Sequence, residues 1–589
     1  MSEAKTPGNE KLEVFSRRAA VAIVAALMSL ALALRLVGLD HGLPHTANGD
    51  ERYYESQSKL LEKGDTDLGA DDNARRYPTL VTRIAEPLLA LDPPEAGASL
   101  DRHHELAGQR ILGLRAIVAC LSILVVPATY LLGRRFLARG PALFAAALAA
   151  TSLLHQWHSQ EARPHAPSAA FDAVAILAAL ALRRRPTISR YIAAGAALGL
   201  ALAVLPSAAA LLPAFVIAHV TRSKLEERSA WIGPLLLGLV AALCALLAYP
   251  RQRFVSPPPL DGSPGDVAWR FLGHNIYVDQ FNGTGFATIL AKSWEFDPWI
   301  LLLCVAAFVR VVVLLARGPR TAVAGFGSSV RAEALVVLAF ALPYFVVIGL
   351  YAETYERFAL PLLSCAAVVA ACALAPPLSA RVRIPTFVLR GLIIVASLAC
   401  SIQLAGLRAK DDTLEESARW IASHADRTTT RIKTLPFLSL PLVRTRAALD
   451  VDERMIASTT HPWMGYLEAL DPNELDRAGW DLSSVDFRSE AVRRDARERP
   501  VEWAQSLDAD LVLFSAGMGS RNELLVALRK AVRQHSRLLA RVSAHSCEDP
   551  AIVERDFPFE EDPRWLPFAI SQFGWRALGP AIEIWGERR

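Results

Sequence analysis

Eleven stretches of this chain are long, apolar and almost free of charge, and they limit what it can fold into. A bilayer core about 30 Å thick takes roughly 20 helical residues to cross. Inside lipid the backbone must satisfy its own polar groups, which makes helices the form for such runs. The runs are 19–39, 111–132, 141–154, 166–182, 191–205, 208–220, 231–249, 298–316, 332–350, 358–374 and 388–404. The fifth and sixth are short for a crossing. The first follows Arg17 and Arg18 with no small-residue cleavage site after it, so it reads as a retained span and not a signal peptide. Composition agrees. Of 589 residues, 52% are hydrophobic and 21% charged, with mean hydropathy +0.27, against about 25% charged in soluble domains. Disorder is excluded by the same figures. A net charge of +4 is too small to identify a partner, and no nucleic-acid partner is expected.

Basic residues orient the helices. Alternate connections carry Arg134, Arg135 and Arg139; Arg183, Arg184, Arg185 and Arg190; Arg222, Lys224 and Arg228; Arg317, Arg320 and Arg331; and Arg381, Arg383 and Arg390. The positive-inside rule puts these connections in the cytoplasm, together with the N-terminus and its Lys5, Lys11, Arg17 and Arg18. The two short runs lie between basic flanks, so they pair as a hairpin turning at Leu205-Pro206-Ser207. An odd number of spans places the C-terminal tail outside. The expected organisation is a cytoplasmic segment 1–18, a transmembrane domain 19–405 with outer loops 40–110, 155–165 and 250–297, and an extracytoplasmic domain 406–589. The third loop opens on Ser256-Pro257-Pro258-Pro259, a stiff connector. The tail reads as a small α/β domain, with strands at 431–434, 511–515 and 581–585 and amphipathic helices at 415–425 and 523–539. Six of the seven cysteines lie in apolar runs, where the thiol behaves as a small hydrophobe, and Cys547 alone lies in polar sequence.

Four constellations could carry chemistry. Gly49-Asp50-Glu51-Arg52-Tyr53-Tyr54 sets two carboxylates just past the first span. Partial desolvation there raises a carboxylate pKa and suits a general base; an ordinary solvated acidic pair is the alternative. The connection His155-Gln156-Trp157-His158-Ser159-Gln160-Glu161-Ala162-Arg163-Pro164-His165 puts ionisable groups between two apolar helices, where they are expensive. Arg163 could grip a phosphate. A metal site of His158, Glu161 and His165 on one helical face is a second reading, and a snorkelling interfacial loop a third. Arg357, in Tyr351-Ala352-Glu353-Thr354-Tyr355-Glu356-Arg357-Phe358, could meet an anionic headgroup or sit among aromatic anchors. Arg115, a few residues into the second span, needs a carboxylate such as Asp50 or a ligand phosphate. No phosphate-cradling glycine loop, dinucleotide fingerprint or serine nucleophile elbow stands out.

At these residues the chain resembles the GT-C superfamily of polytopic glycosyltransferases, and within it the protein O-mannosyltransferase and aminoarabinose-transferase-like bacterial families. Asp50-Glu51, Gly64-Asp65 and Tyr77-Pro78 follow one another as in those families. Arg115 precedes Gly133-Arg134-Arg135, Ala162-Arg163 closes the second outer loop, and Arg357-Phe358-Ala359-Leu360-Pro361 stands before the tenth run. Asp411, Ala418, Trp420 and Ile421 open the tail. The resemblance covers residues 19–421. His165 departs from it, since many relatives carry Asp or Tyr there. The resemblance implies a bacterial inner-membrane enzyme that moves a sugar from a polyprenyl-phosphate donor to a lipid, glycan or protein acceptor on the extracytoplasmic face. It implies Asp50 as base on the acceptor and Glu51 as the group orienting the loop or substrate. Arg115, Arg163 and Arg357 would hold the leaving phosphate, with Tyr53, Tyr54, His158, Glu161 and His165 as possible substrate contacts. No cofactor is firmly expected; a divalent metal stays open but is not favoured. A transporter or lipid-binding protein without glycosyl transfer is the alternative.

Overall fold

The computed structural model describes residues 15–43, 51–62, 64, 78–89, 100–222, 227–248, 268–271, 274–277, 280–316, 328–375, 380–435, 438, 440–455, 476–485, 490–515, 523–544 and 566–587. Asp50, Asp65, Tyr77 and Cys547 lie outside these residues.

The chain is an α-helical membrane protein with a C-terminal α/β domain. In chain order the helices are α1 (Arg17–Leu36), α2 (Glu51–Glu62), α3 (Leu80–Ala85), α4 (Leu100–Ser122), α5 (Val125–Gly133), α6 (Arg139–Ala150), α7 (Leu153–Ser159), α8 (His165–Arg184), α9 (Ile188–Val204), α10 (Leu212–Val220), α11 (Glu227–Ala248), α12 (Thr284–Phe296) and α13 (Pro298–Ala316). Ser328–Leu350, a 3-10 stretch Glu356–Leu362, Leu363–Ala373 and Ala380–Arg408 complete the bundle. Each of the eleven apolar runs is helical. Among the described residues seven helices are long and apolar enough to cross a membrane, or eight if α12 and α13, bent by 119° at Asp297, count as one span. The other three runs are the short apolar helices α6, α9 and Pro206–Val220.

Packing explains which faces are apolar. On α11, Leu235, Leu239, Leu243 and Leu247 recur at i, i+4 and are all exposed, an unpartnered ridge that suits lipid. The inner helices use small residues: Ala145, Ala146, Ala149 and Ala150 of α6 are fully buried. Gly195 and Gly199 let α9 lie directly on α11. A Cβ on either would come 2.5 Å from the Leu237 carbonyl oxygen or 2.6 Å from that of Ala241. This is the small-xxx-small contact of membrane helices, where backbone approach replaces a hydrophobic driving force.

The tail begins with a helix, Thr413–His424, started by a reciprocal cap: Asp412 accepts from the Glu415 N–H at 2.8 Å, and Glu415 accepts from the Asp412 N–H at 3.0 Å. Strands β3 (Arg431–Leu435), β4 (Asp481–Ser484), β5 (Leu511–Ser515), β6 (Ser536–Val542) and β7 (Ile582–Glu587) form one sheet in the order β4-β3-β5-β7-β6. The first three are mutually parallel, and β7 runs antiparallel to β5 and β6. Leu414, Ala418 and Ile421 cover one face against Ile432, Leu482 and Leu513, while Leu528 and Val532 pack on Val512 and Phe514 on the other. A separate hairpin joins β1 (Ala268–Phe271) to β2 (His274–Tyr277).

The run 111–132 holds as one candidate span, Gly108–Gly133, with only the turn residues Ile123 and Leu124 between α4 and α5. Two expected boundaries are corrected. The segment before Asp297 is not loop throughout, since α12 occupies its end. The helix expected over 523–539 stops at His535, and residues from Ser536 pair with β7 instead, Leu538 opposite Trp585. Sheet pairing overrides the local helical pattern there.

Candidate active site

The site forms at the end of the bundle where α7 and its connection to α8 meet α2, α4 and the 3-10 stretch Glu356–Leu362. Ser152 starts α7 by accepting from the His155 N–H at 3.2 Å. The helix closes at Ser159, and the chain turns through Glu161 and Ala162 before Pro164 caps α8. Proline fits there, where a helix's first N–H groups lack partners in any case. All eleven residues of 155–165 are buried.

Glu51 is the hub. Its carboxylate is fully buried and takes a forked contact from Arg115, Nε to Oε1 at 2.7 Å and Nη2 to Oε2 at 2.8 Å. The backbone N–H of Ala162 donates to the same Oε1 at 2.6 Å. Arg115 also donates from Nη1 to the Leu39 and His41 carbonyls at 2.8 and 2.9 Å. Four segments are thereby fixed by one charge pair: the turn after α1, the start of α2, the body of α4 and the 155–165 connection. Two-pronged arginine to carboxylate contact is geometrically demanding, which is why it holds a register well.

A second network lies beside it. His158, fully buried, places Nδ1 3.1 Å from Glu161 Oε2 and Nε2 3.5 Å from Glu356 Oε1. Arg163 Nη1 donates to the same Glu161 oxygen at 3.2 Å. Arg357 Nη1 stands 3.8 Å from Glu356 Oε1, with its guanidinium 4.1 Å above the Tyr355 ring. His165 stacks on Phe358 at 6.2 Å. Burial alone would lower the His158 imidazole, but the carboxylates of Glu161 and Glu356 raise it above its ordinary range. Burial would raise Glu161, yet Arg163 and His158 hold it well below the usual carboxylate range. His41 is pushed down to about 3 by burial and by the positive charges of Arg408 and Arg115.

The sequence-derived residues come together in part. Glu51, Arg115, His158, Glu161, Arg163, His165 and Arg357 all line this end of the bundle. Arg115 does find a carboxylate, but it is Glu51, and nearly its whole donor fork is engaged. Tyr53 and Tyr54 are buried like the rest of the site. Both rings are buried against Ala85, Leu89, Ile111, Leu114 and Ala162. The metal reading of His158, Glu161 and His165 on one helical face is corrected too, because α7 ends before Glu161 and His165 belongs to α8. Among the described residues no group of three or more His, Cys, Asp or Glu could hold a metal ion.

The sequence reading missed three members. Glu356 was hidden beside Arg357. Arg408 ends the last membrane helix, lies 4.3 Å over the Trp157 ring and donates to the Trp157 carbonyl at 3.3 Å. Its backbone is met by Gly38, whose φ of +68° and contact with the Arg408 carbonyl leave no room for a side chain. Arg35, fully buried in α1, donates to the Ala31 and Ala150 carbonyls and to Ser159 Oγ and lies 2.8 Å from His155 Nδ1. A charged residue inside an apolar run was the available signal for Arg35. Among the described residues Arg115, Arg163, Arg357 and Arg408 thus gather with Glu51, Glu161 and Glu356 at this end of the bundle.

The stretch from residue 92 to 247 carries Arg115 and the whole 155–165 connection. That stretch matches the model of the dolichyl-phosphate-mannose-protein mannosyltransferase family. The match spans about a quarter of the chain and agrees with the resemblance read from the motifs. No curated protein matches the chain. Among solved structures, it is similar to the oligosaccharyltransferase of Archaeoglobus fulgidus, at 10% identity and TM-score 0.48 over 89% of this chain and 73% of that one. It is also similar to ArnT from Cupriavidus metallidurans bound to undecaprenyl phosphate, at 14% identity and TM-score 0.43 over 89% of this chain and 97% of that one.

Proposed function

We propose that this protein is a membrane glycosyltransferase that moves a sugar from a polyprenyl-phosphate carrier to an acceptor. The observation that carries the reading is the cluster of guanidinium groups at one end of the bundle, Arg115, Arg163 and Arg408 buried and Arg357 partly buried, of which Arg115 and Arg163 lie in the stretch that matches the mannosyltransferase family. A phosphate leaving group develops negative charge as its bond to the sugar breaks, and prearranged cations in a dry site stabilise that charge most. Arg163, Arg357 and Arg408 are the cations for it. Arg115 acts through Glu51: together they hold the 155–165 connection in place. Asp50, the neighbour of Glu51 in the sequence, is the general base that takes the proton from an acceptor hydroxyl. The hydroxyl oxygen then attacks the anomeric carbon and the lipid phosphate departs. His158, whose imidazole is raised by its two carboxylates against the effect of burial, stands on the phosphate side.

Orientation follows from charge. The ends of α5, α8 and α10 that carry Arg134, Arg184 and Arg222 lie opposite the site, and the positive-inside rule puts those ends in the cytoplasm. Residues 1–18 are then cytoplasmic, 19–405 the transmembrane catalytic domain, and 406–589 an extracytoplasmic domain of a bacterial inner-membrane protein. The test is a proteoliposome assay with a synthetic polyprenyl-phosphate sugar. The reading expects free polyprenyl phosphate to be released in step with glycosylated acceptor. Movement of the lipid across the bilayer with no release would overturn it in favour of transport.

A further inference from the structure

Among the described residues, the segment 566–578 of the C-terminal domain packs into the membrane body and ends against the site. Phe568 is fully buried among membrane residues. Its ring meets Trp157 edge to face at 6.2 Å and Phe296 at 5.5 Å, and Trp575 packs on it at 5.3 Å. Its backbone N–H donates to Glu295 Oε2 of α12 at 3.1 Å. Four residues on, the fully buried Gln572 donates to the Cys400 carbonyl at 3.2 Å, and its own carbonyl accepts from Gln403 Nε2 at 3.1 Å. Both partners belong to the last membrane helix, Ala380–Arg408. The segment is closed at its far end by the Leu578 carbonyl, which accepts from the Thr413 N–H at 2.9 Å, and by the Arg576 fork on Glu416 at 2.8 and 2.7 Å.

We infer that residues 566–578 are a positioning element for the active site, acting through Trp157. The Trp157 indole lies between Phe568 on one side and the Arg408 guanidinium on another. The same residue immediately precedes His158, whose imidazole bridges Glu161 and Glu356. Removing the Phe568 ring opens a void beside the indole, and the void is filled by movement of α7. That movement shifts Arg408, which is stacked on the ring, and the His158 pairs, which are one residue away. A buried backbone N–H of Phe568 donating to an acidic side chain, and a buried glutamine bonded in both directions, mark the contact as specific docking. It gives the extracytoplasmic domain a stated part in the site. Only the activity arm of the test rests on the transfer function proposed above.

Hydrogen exchange on the full-length chain in detergent measures the placement of α7 without any reaction. In Phe568→Ala, amide exchange over 153–163 should speed on the order of tenfold, while α9 and α11 stay at wild-type rates. Phe568→Leu, which keeps most of the apolar bulk, should restore most of the protection. Gln572→Leu releases the same segment from the last helix without touching the ring, and should give a smaller rise in the same peptides. In the transfer assay Phe568→Ala should raise KM for the lipid donor several-fold more than it lowers kcat, as expected when Arg408 is displaced. Wild-type exchange over 153–163 in Phe568→Ala, or a rise spread evenly over every membrane helix, would overturn the inference. Absence of transfer in the wild type would count against the proposed function and leave the exchange result to decide this one.

Discussion

At the residue scale, the paired charges are the parts most sensitive to change. Glu51→Ala leaves Arg115 buried without its counter-charge, and breaking a buried pair by one partner costs about 3–5 kcal/mol. The melting temperature in detergent should fall accordingly, and the double variant Glu51→Ala with Arg115→Met should recover part of the loss. No recovery would contradict the hub. His158 gives a pH dependence with a definite sign. Its imidazole is raised in the folded chain by Glu161 and Glu356, against the opposing effect of burial. Its contribution is therefore complete below the ordinary imidazole range and is lost as pH rises through the raised value. Melting temperature should decline on that alkaline side, and His158→Gln should flatten the decline; an unchanged profile in the variant would rule it out. The acidic side belongs to Glu161, held low by Arg163 and His158, whose contribution is lost only as pH falls below the usual carboxylate range. Residue identity was legible in the sequence wherever a charge stood out against an apolar background, as with Arg115, Glu161 and Arg163. Partnership was not. The carboxylate that meets Arg115 among the described residues is Glu51, at the start of α2. Arg408 and Trp157 are separated by most of the membrane domain and meet only through packing.

At the element scale, the helices were legible because lipid imposes one form on an apolar run, and each of the eleven runs proved helical. Breaks within and beside the runs were not legible. The bend of 119° between α12 and α13 is one such break. The strand after His535 was lost for a related reason: Leu538 and Leu539 satisfy a helical pattern, but β7 offers them a ladder. The α9 and α11 contact makes the element-scale prediction. Gly199→Leu drives a side chain into the Ala241 backbone, and overpacking of this kind costs about 1–3 kcal/mol. The variant should melt earlier while retaining the site-end contacts, as judged by unchanged exchange over 153–163. Equal loss of protection at the site would contradict the separation of scaffold from site.

At the scale of the whole molecule, a hydrophobic fraction of 52% averages two unlike parts. The bundle exposes apolar ridges such as that on α11, while the tail folds around a mixed sheet with an ordinary two-sided core. The junction between them could not be read from sequence, since Phe568, Gln572 and Trp575 carry no pattern that points to membrane partners far back in the chain. Their docking brings the C-terminal domain to the same end as the guanidinium cluster. The central claim is that this end transfers a sugar with Asp50 as the base, and it is tested most directly by transfer from a synthetic polyprenyl-phosphate sugar with Asp50→Asn. The account predicts a loss of transfer of about a hundredfold or more, with wild-type melting temperature and wild-type binding of polyprenyl phosphate. Full transfer activity in Asp50→Asn would contradict it.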